Sequence, residues 1–165
     1  MAGHESVGAR AICASLPLLL WHQTEEWVLP GGFLPWFNRE VWHSERDEFP
    51  VTPKMGFTIN VLIGWCVSCA AVASMRRAPS LACAVLTTHL GNGVLHIREA
   101  ALARRYNPGL ASALVLAPLG ATGALGMVKD PDVRKRDSLG GILGGAIVSA
   151  GLVGFLRRRV RQSVR

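Results

Sequence analysis

Long runs of apolar residues alternate along this chain with short polar or basic stretches. Because a membrane-spanning helix needs about 20 consecutive, mostly apolar residues, runs of this length indicate transmembrane helices. Five such runs can be drawn, at about residues 11–29, 55–75, 80–103, 108–128 and 139–156. The pattern predicts an all-α fold: an integral membrane helical bundle with four to five transmembrane helices, in which residues 1–165 form a single membrane domain.

The composition supports a membrane protein. Of the 165 residues, 50% are hydrophobic and only 18% are charged, whereas about a quarter of the residues in soluble domains are charged. Glycine occurs 18 times, and small residues let membrane helices approach one another closely.

The formal net charge of +7 would suit a nucleic-acid-binding protein if the charges formed one patch. Instead, the basic residues flank the apolar runs, as they do in membrane proteins. These flanking groups are Arg76 and Arg77, Arg104 and Arg105, Arg134 with Lys135 and Arg136, and Arg157, Arg158 and Arg159 with Arg161 and Arg165. We therefore expect membrane lipid and no nucleic acid as a partner, and the arginines after the fifth run favour a cytoplasmic C-terminus.

The longest connection, residues 30–54, is rich in aromatic side chains such as Phe33, Trp36 and Trp42. Tryptophan is enriched where a membrane meets water. This composition predicts an interfacial loop that contains a short helix lying on the membrane.

The fifth run contains glycines at a spacing of four residues, Gly140 with Gly144 and Gly141 with Gly145. Small residues at this spacing favour close helix packing. The packing partner is either another helix of the same chain or, in a homo-oligomer, the glycine-rich fifth helix of a second copy.

Polar residues end the first run, in the segment LLLWHQTEEWVLP from Leu18 to Pro30. At about 100° per residue, His22, Glu25 and Glu26 span roughly 100° of arc and share one helix face. Ionisable groups inside a membrane span are costly, and they usually face one another or a water-filled cavity. These three side chains therefore require a polar partner elsewhere in the chain.

The third run contains polar residues that can supply this partner. His89, Asn92, His96 and Glu99 fall within an arc of roughly 80° on one helix face. His22 and His96 both lie toward the C-terminal ends of their runs, and the first and third of five spans run parallel. We therefore predict one shared His/Glu site between the first and third helices.

Imidazole and carboxylate ligands in such a site suit iron, manganese or zinc. His-x-x-Glu occurs in both runs, and an i, i+3 pair places the two groups side by side, as in di-iron helical bundles but in reversed order. The predicted metal ligands are His22, Glu25, Glu26, His89, Asn92, His96 and Glu99. Glu25 and Glu99 are in addition the candidate catalytic carboxylates.

Spacing constrains this prediction, because His89 and His96 lie about 10 Å apart along the helix axis at about 1.5 Å per residue. Either two metal ions bind, or one of these histidines orients a ligand without touching the metal. A metal-free network explains the same pattern, as a proton relay or as a packing contact in which the histidines neutralise the glutamates. A position of Glu25 and Glu26 in solvent beyond the membrane is a further alternative.

His22-Gln-Thr-Glu25-Glu26 resembles the signature for which the HXXEE family of small bacterial multi-span membrane proteins is named. The segments NGVLHI and RRYNPGLASALVLAPLG resemble the family's later histidine-bearing helix and its Tyr-x-Pro-Gly element. The resemblance covers roughly Leu16 to Gly120. The positions that it marks as family-like are His22, Glu25, Glu26, Asn92 and His96. Tyr106, Pro108 and Gly109 also match the family and are expected to have structural roles. It implies a protein of the bacterial cytoplasmic membrane, and it carries no established activity.

The expected function is that of a membrane-embedded metal-dependent enzyme acting on a lipid or another apolar small-molecule substrate. Iron would indicate an oxidoreductase, and zinc would indicate a hydrolase that lowers the pKa of a bound water. The alternative is a non-enzymatic membrane protein with a polar His/Glu network: an accessory subunit, a carrier or a proton-linked transporter. The sequence has no visible internal repeat of the kind that carriers contain, whereas its small size and glycine-rich fifth run favour an accessory subunit.

Overall fold

The structure is a computed structural model that describes residues 6–28 and 32–163, and the regular structure in these residues is helical. The helices are α1 Val7–Trp27, α2 Phe33–Trp36, which continues as the π-helical turn Phe37–Val41, α3 Pro53–Ser74, α4 Pro79–Ala103, α5 Leu110–Lys129 and α6 Lys135–Ser163. The prediction of an all-α fold is confirmed. The predicted boundary between the first span and the loop, at Leu29 and Pro30, lies outside the described residues.

Among the described residues, three helices are long and apolar enough to cross a membrane: α3, α5 and α6. Helices α1 and α4 occupy the predicted first and third spans with 21 and 25 residues. They contain the two polar faces, whose glutamates and histidines make these helices less apolar. Length and composition therefore give three candidate spans rather than the four to five predicted.

Helix α4 packs along both α5 and α6, and α1 packs along another side of α5. Small residues make the crossing of α4 and α5 close: a Cβ atom on Gly120 would lie 2.5 Å from the Leu86 carbonyl oxygen. Further along the same pair, Gly93 of α4 lies against Ala117 of α5. Because the earlier residue of α4 meets the later residue of α5, the two helices are antiparallel.

Helix α1 is also antiparallel to α5, since Ala11 lies beside Gly123 whereas His22 lies beside Ser112. Helices α1 and α4 therefore run parallel, and both reach the N-terminal end of α5 with their polar C-terminal turns. The fold thus brings the polar faces of the first and third predicted spans to one place.

The glycines of α6 divide between two surroundings. Gly141 and Gly145 pack against α4, where a Cβ atom on Gly145 would lie 2.5 Å from the Ala84 carbonyl oxygen. Gly140 and Gly144 have no described atom within 4 Å of the position that a Cβ atom would occupy. One glycine pair therefore serves packing within the chain, and the other faces outward.

The predicted helix in the loop of residues 30–54 is α2. Hydrogen bonds from the Asn38 side chain stabilise the loop that follows α2. Its Nδ2 donates to the Asp47 and Val51 carbonyl oxygens at 2.5 and 2.8 Å, and its Oδ1 accepts from the Val51 amide at 3.1 Å. A buried apolar cluster holds α2 against the end of α6. Its members are Phe33, Leu34, Phe37, Val51 and Leu156.

Candidate metal centre

His22, Glu26 and His96 meet where α1 and α4 reach the start of α5. One ligand atom from each residue can be chosen so that all three lie within 4.8 Å of one another. Nε2 of His22 and Nε2 of His96 each lie 3.2 Å from the same carboxylate oxygen, Oε1 of Glu26. The three side chains are 1%, 0% and 2% exposed for His22, His96 and Glu26, so water does not compensate their polarity.

Asn107, in the turn between α4 and α5, determines which nitrogen of His96 carries the proton. Its Nδ2 donates to the His96 carbonyl oxygen at 2.8 Å, which leaves its Oδ1 as the group that faces His96 Nδ1 at 3.1 Å. Because a carbonyl oxygen only accepts, Nδ1 of His96 is the donor. The lone pair of His96 is therefore on Nε2, the nitrogen that faces Glu26.

Ser112 and Glu25 orient His22 in the same way. The Ser112 hydroxyl donates to Oε2 of Glu25 at 2.6 Å, and a hydroxyl has only one proton to donate. The contact of 2.8 Å between Ser112 Oγ and His22 Nδ1 is then donated by the imidazole. Nε2 of His22 carries the lone pair, as it must to accept from Asn92 Nδ2 at 2.8 Å.

Two imidazole lone pairs thus converge on a carboxylate oxygen, and all three atoms are acceptors. Oε1 of Glu26 and Nε2 of His96 make no hydrogen bond with any described residue, although both are buried. A buried carboxylate without compensation costs several kcal/mol. This arrangement calls for a cation between the three atoms, either a proton or a metal ion.

Glu25, a predicted metal ligand, does not join this group. Its carboxylate accepts from the backbone amides of Ala111 and Ser112, both at 2.9 Å, as well as from the Ser112 hydroxyl and the Tyr106 hydroxyl. The amides belong to the first turn of α5, where free N–H groups and the helix dipole favour a negative charge. Glu25 therefore holds the start of α5 and, through Ser112, the ring of His22.

The structure also separates the remaining predicted site residues. Asn92 reaches the centre through His22, and a half-turn of its amide would present an oxygen there. His89 is buried, two helical turns before His96, and its Nε2 has no hydrogen-bond partner among the described residues, but it is not part of the three-residue group. Glu99, whose side chain is 14% exposed, pairs with Arg98 and is not part of the three-residue group.

Gly109 makes room for both histidine rings. A Cβ atom at this position would lie 2.7 Å from Cε1 of His96 and 2.9 Å from Cε1 of His22. Its φ of +97° lies in the left-handed region, which glycine adopts without steric cost. The turn before α5 therefore needs glycine both for its backbone and for the space it leaves.

Helix α2 covers the centre with aromatic rings. The Trp36 indole stacks on the His96 imidazole, with 5.1 Å between ring centroids and 22° between planes, and Phe33 lies 6.1 Å from the same ring. These rings exclude water from the centre, and in such surroundings electrostatic interactions are stronger than in water.

Tyr106, in the turn after α4, closes the other side by donating to Glu25. Burial and the neighbouring Glu25 carboxylate raise the pKa of its phenol to about 12. The hydroxyl therefore stays protonated at neutral pH and remains a donor to the carboxylate.

Sequence reasoning missed three residues that shape this centre: Trp36, Asn107 and Ser112. Asn107 is part of a Tyr-Asn-Pro-Gly turn, a composition that indicates a turn regardless of function. Ser112 lies in an apolar helix, and its position one turn into α5 is the one available signal. The role of Trp36 depends on a contact between distant segments, for which the sequence contains no signal.

Comparison with known proteins gives a family but no activity. No curated protein matches this chain, and no solved structure matches it. The model of a family described as proteins of unknown function with an HXXEE motif matches residues 13–122, which include every residue of the centre. Since this match covers about two thirds of the sequence, the resemblance is confirmed, and the chain belongs to the HXXEE family.

Proposed function

We propose that this protein is a membrane-embedded metal-dependent enzyme in which His22, His96 and Glu26 bind one divalent ion. The observation that carries the proposal is the convergence of two imidazole lone pairs and a carboxylate oxygen, buried together without hydrogen bonds at Oε1 of Glu26 or Nε2 of His96. A metal ion supplies the positive charge and the acceptor orbitals that Oε1 of Glu26 and Nε2 of His96 need. It would also bind Nε2 of His22 once the Asn92 amide, which donates to that nitrogen at 2.8 Å, turns away.

The ligand set indicates which ions are suitable. Two histidines and one carboxylate bind zinc in hydrolytic sites that keep a fourth position open, and they bind iron in oxygen-activating sites with several open positions. Bound zinc would supply an activated water for hydrolysis, whereas bound iron would supply redox chemistry. Asn92 is placed to provide a further oxygen ligand or to hold a reacting group beside His22.

The residues around the three ligands fit a metal site. Metal-binding histidines usually donate their other ring nitrogen to an oxygen, which fixes the tautomer and the ring orientation. Here Asn107 performs this role for His96, and Ser112, itself bonded to Glu25, performs it for His22. In this proposal Glu25 positions the ligands instead of binding the metal.

We further propose that α1 and α4 cross the membrane with α3, α5 and α6, in the bacterial cytoplasmic membrane. With 21 and 25 residues, α1 and α4 are long enough for a hydrocarbon core of about 30 Å at about 1.5 Å per residue. The antiparallel packing of both helices against α5, itself a candidate span, supports this arrangement. A centre at the membrane end of such a bundle suits a lipid or another apolar substrate.

Elemental analysis of the detergent-purified protein tests the metal site. We expect about one equivalent of zinc, iron or manganese in the wild type, prepared without chelator, and loss of the metal in His96→Gln and Glu26→Gln. His43→Gln is the matched control, because His43 is exposed and lies in the loop after α2. A folded wild type without stoichiometric metal, or equal losses in the His96 and His43 variants, would refute the proposal.

The absorption spectrum of a cobalt-substituted sample would then separate the two chemistries. Intense visible bands would indicate four-coordinate, zinc-like geometry, whereas weak bands would indicate the six-coordinate geometry that favours iron. The same spectrum in Asn92→Ala would show whether Asn92 supplies a ligand.

A second candidate function, a metal-free proton path, has one specific observation in its favour. Hydrogen bonds form a continuous chain from the half-exposed Tyr106 through Glu25 and Ser112 to His22, whose Nε2 lies 3.2 Å from Oε1 of Glu26. A proton-linked transporter would need such a chain from the surface to a buried group. Absence of metal together with proton uptake by reconstituted vesicles, lost in Glu26→Gln, would favour this function.

A further inference from the structure

An open cleft of about 260 Å³ lies on the surface beside the centre. Its walls are Pro35, Trp36, Arg39, Glu40, Arg105 and Tyr106. Two of these residues also touch the centre, since Trp36 stacks on His96 and Tyr106 donates to Glu25. The cleft therefore shares these two side chains with the surroundings of the centre and lies beside it.

The arginines of the cleft are held by weak, exchangeable ion pairs. Arg105 pairs with Glu40 across the cleft, and Arg39 pairs with Asp47 outside it. The side chains of Arg105 and Arg39 are 56% and 58% exposed, and exposed ion pairs contribute about 1 kcal/mol or less. A competing anion that offers two oxygens to a guanidinium group would therefore displace Glu40 at little cost.

An exposed leucine precedes the cleft residues in the chain, and arginines outnumber glutamates in the lining of the cleft. Leu102, one turn before Arg105, is 65% exposed, as expected for a side chain in contact with lipid. Among the residues that line the cleft, the two arginines Arg39 and Arg105 exceed the one glutamate, Glu40, so the cleft favours an anion over a cation.

We propose that this cleft binds the anionic group, a phosphate or a carboxylate, of an amphiphilic substrate, which pairs with Arg105 in place of Glu40. The inference rests on the proposed function, because it identifies the substrate class of the same centre. The apolar part of the substrate then lies along Trp36 and the lipid, and the group next to the anion approaches His96 past the indole.

Lipid binding to the detergent-purified protein, measured by native mass spectrometry, tests the proposal. The probes are phosphatidylglycerol, the zwitterionic phosphatidylcholine, and inorganic phosphate. We expect phosphatidylglycerol to bind the wild type most tightly and its affinity to fall about fivefold in Arg105→Gln. In Glu40→Gln the affinity should rise by a similar factor, because the internal competitor is gone.

Arg98→Gln is the matched control, since Arg98 is an equally exposed arginine of the same helix end that pairs with its neighbour Glu99 outside the cleft. Equal losses in the Arg105 and Arg98 variants would overturn the proposal, and so would an unchanged or weaker affinity in Glu40→Gln. If inorganic phosphate bound as tightly as the lipid and responded in the same way to the variants, the proposal that the ligand is amphiphilic would be overturned. Metal content of the same samples separates the two hypotheses: a metal-free protein with the expected lipid response refutes only the metal site, and a metal-bound protein without it refutes only the cleft.

Discussion

Replacement of Gly109 by alanine tests the geometry of the centre most directly. The added Cβ atom would lie 2.7 Å from Cε1 of His96 and 2.9 Å from Cε1 of His22, so the two rings would have to recede by about 0.5 to 0.7 Å to reach ordinary contact at 3.4 Å. The left-handed backbone adds about 1 to 3 kcal/mol for any residue with a side chain, and displacement of packed rings adds about 1 to 3 kcal/mol more. We expect Gly109→Ala to lower the free energy of unfolding by about 2 to 6 kcal/mol.

Two other glycines separate these contributions. Gly32 also has a positive φ, +59°, but the nearest described atom to its added Cβ is Cδ of Pro35 at 3.6 Å, so Gly32→Ala should show the backbone cost alone. Gly140 lies inside α6 with no described atom within 4 Å, and alanine there should stabilise the helix by about 0.5 to 1 kcal/mol. Unfolding in a detergent titration, followed by circular dichroism, measures all three variants.

Metal affinity then connects this geometry with the proposed function. Ligand distances in metal sites tolerate only about 0.2 Å of error, so the shift of the rings in Gly109→Ala should weaken metal binding at least about tenfold, whereas Gly32→Ala should leave it unchanged. Competition with a chromogenic chelator gives the affinities. If Gly109→Ala had the same free energy of unfolding and the same metal affinity as Gly32→Ala, the contact of the turn with both histidines would be refuted.

Three further outcomes are expected. Tyr106 is the one tyrosine of the chain, so the near-ultraviolet absorbance of tyrosinate should report its raised pKa of about 12. In Glu25→Gln the midpoint of this titration should move toward the ordinary pKa of about 10. An unmoved midpoint would contradict the contact between Tyr106 and Glu25. Because this pKa is raised in the folded state, the stabilising contribution of the phenol is complete below about pH 10 and is lost as the pH rises through 12; a pH titration of unfolding checks the sign. Ser112→Ala, which removes the acceptor of His22 Nδ1, should weaken metal binding about 10- to 100-fold, whereas Ser149→Ala, a matched change on α6, should have no effect. Gly145→Leu should destabilise the fold because Gly145 packs on Ala84, whereas Gly144→Leu should not. Equal destabilisation by both substitutions would contradict this packing. Dissociation of an oligomer in Gly144→Leu alone, measured by light scattering, would reveal the predicted homo-oligomer.

The sequence predicted the pairing of the polar faces because membrane burial makes isolated ionisable groups costly. His22 and His96 are 74 positions apart in the chain, yet their ring centroids lie 4.9 Å apart in the structure, well within the distance of roughly 10 Å that a shared ion allows. The helix ends lie within four residues of the ends of the predicted runs, except that α6 continues to Ser163, seven residues beyond the predicted end at residue 156. Composition gives three candidate spans instead of five among the described residues, because the residues that make the site also lower the apolar character of α1 and α4.

Helix periodicity alone could not decide which member of each face belongs to the group of His22, Glu26 and His96. Glu99 and His89 share the face of His96 to within about 80°. However, Glu99 pairs with Arg98 and His89 lies two helical turns earlier, so neither belongs to that group. Glu25 and Glu26 are adjacent, and the start of α5 separates their roles by offering Glu25 two backbone amides and a hydroxyl. Those donors come from a helix 85 residues further on, so no local pattern around Glu25 could reveal them.

The HXXEE segment is one helical turn that makes different contacts on three sides. His22 and Glu26, spaced i, i+4, face α4 and form the centre with His96. Gln23 faces α3, where its Oε1 accepts from the Trp65 indole at 2.6 Å and its Nε2 donates to the Asn60 carbonyl oxygen at 2.5 Å. Asn60 lies in a π-helical stretch of α3, whose backbone hydrogen bonding departs from the α-helical pattern. Glu25 faces α5. Of the five side chains in this segment, those of His22 and Glu26 thus meet at the proposed metal, and those of Gln23 and Glu25 hold neighbouring helices around it. One helical turn therefore contacts three helices at once.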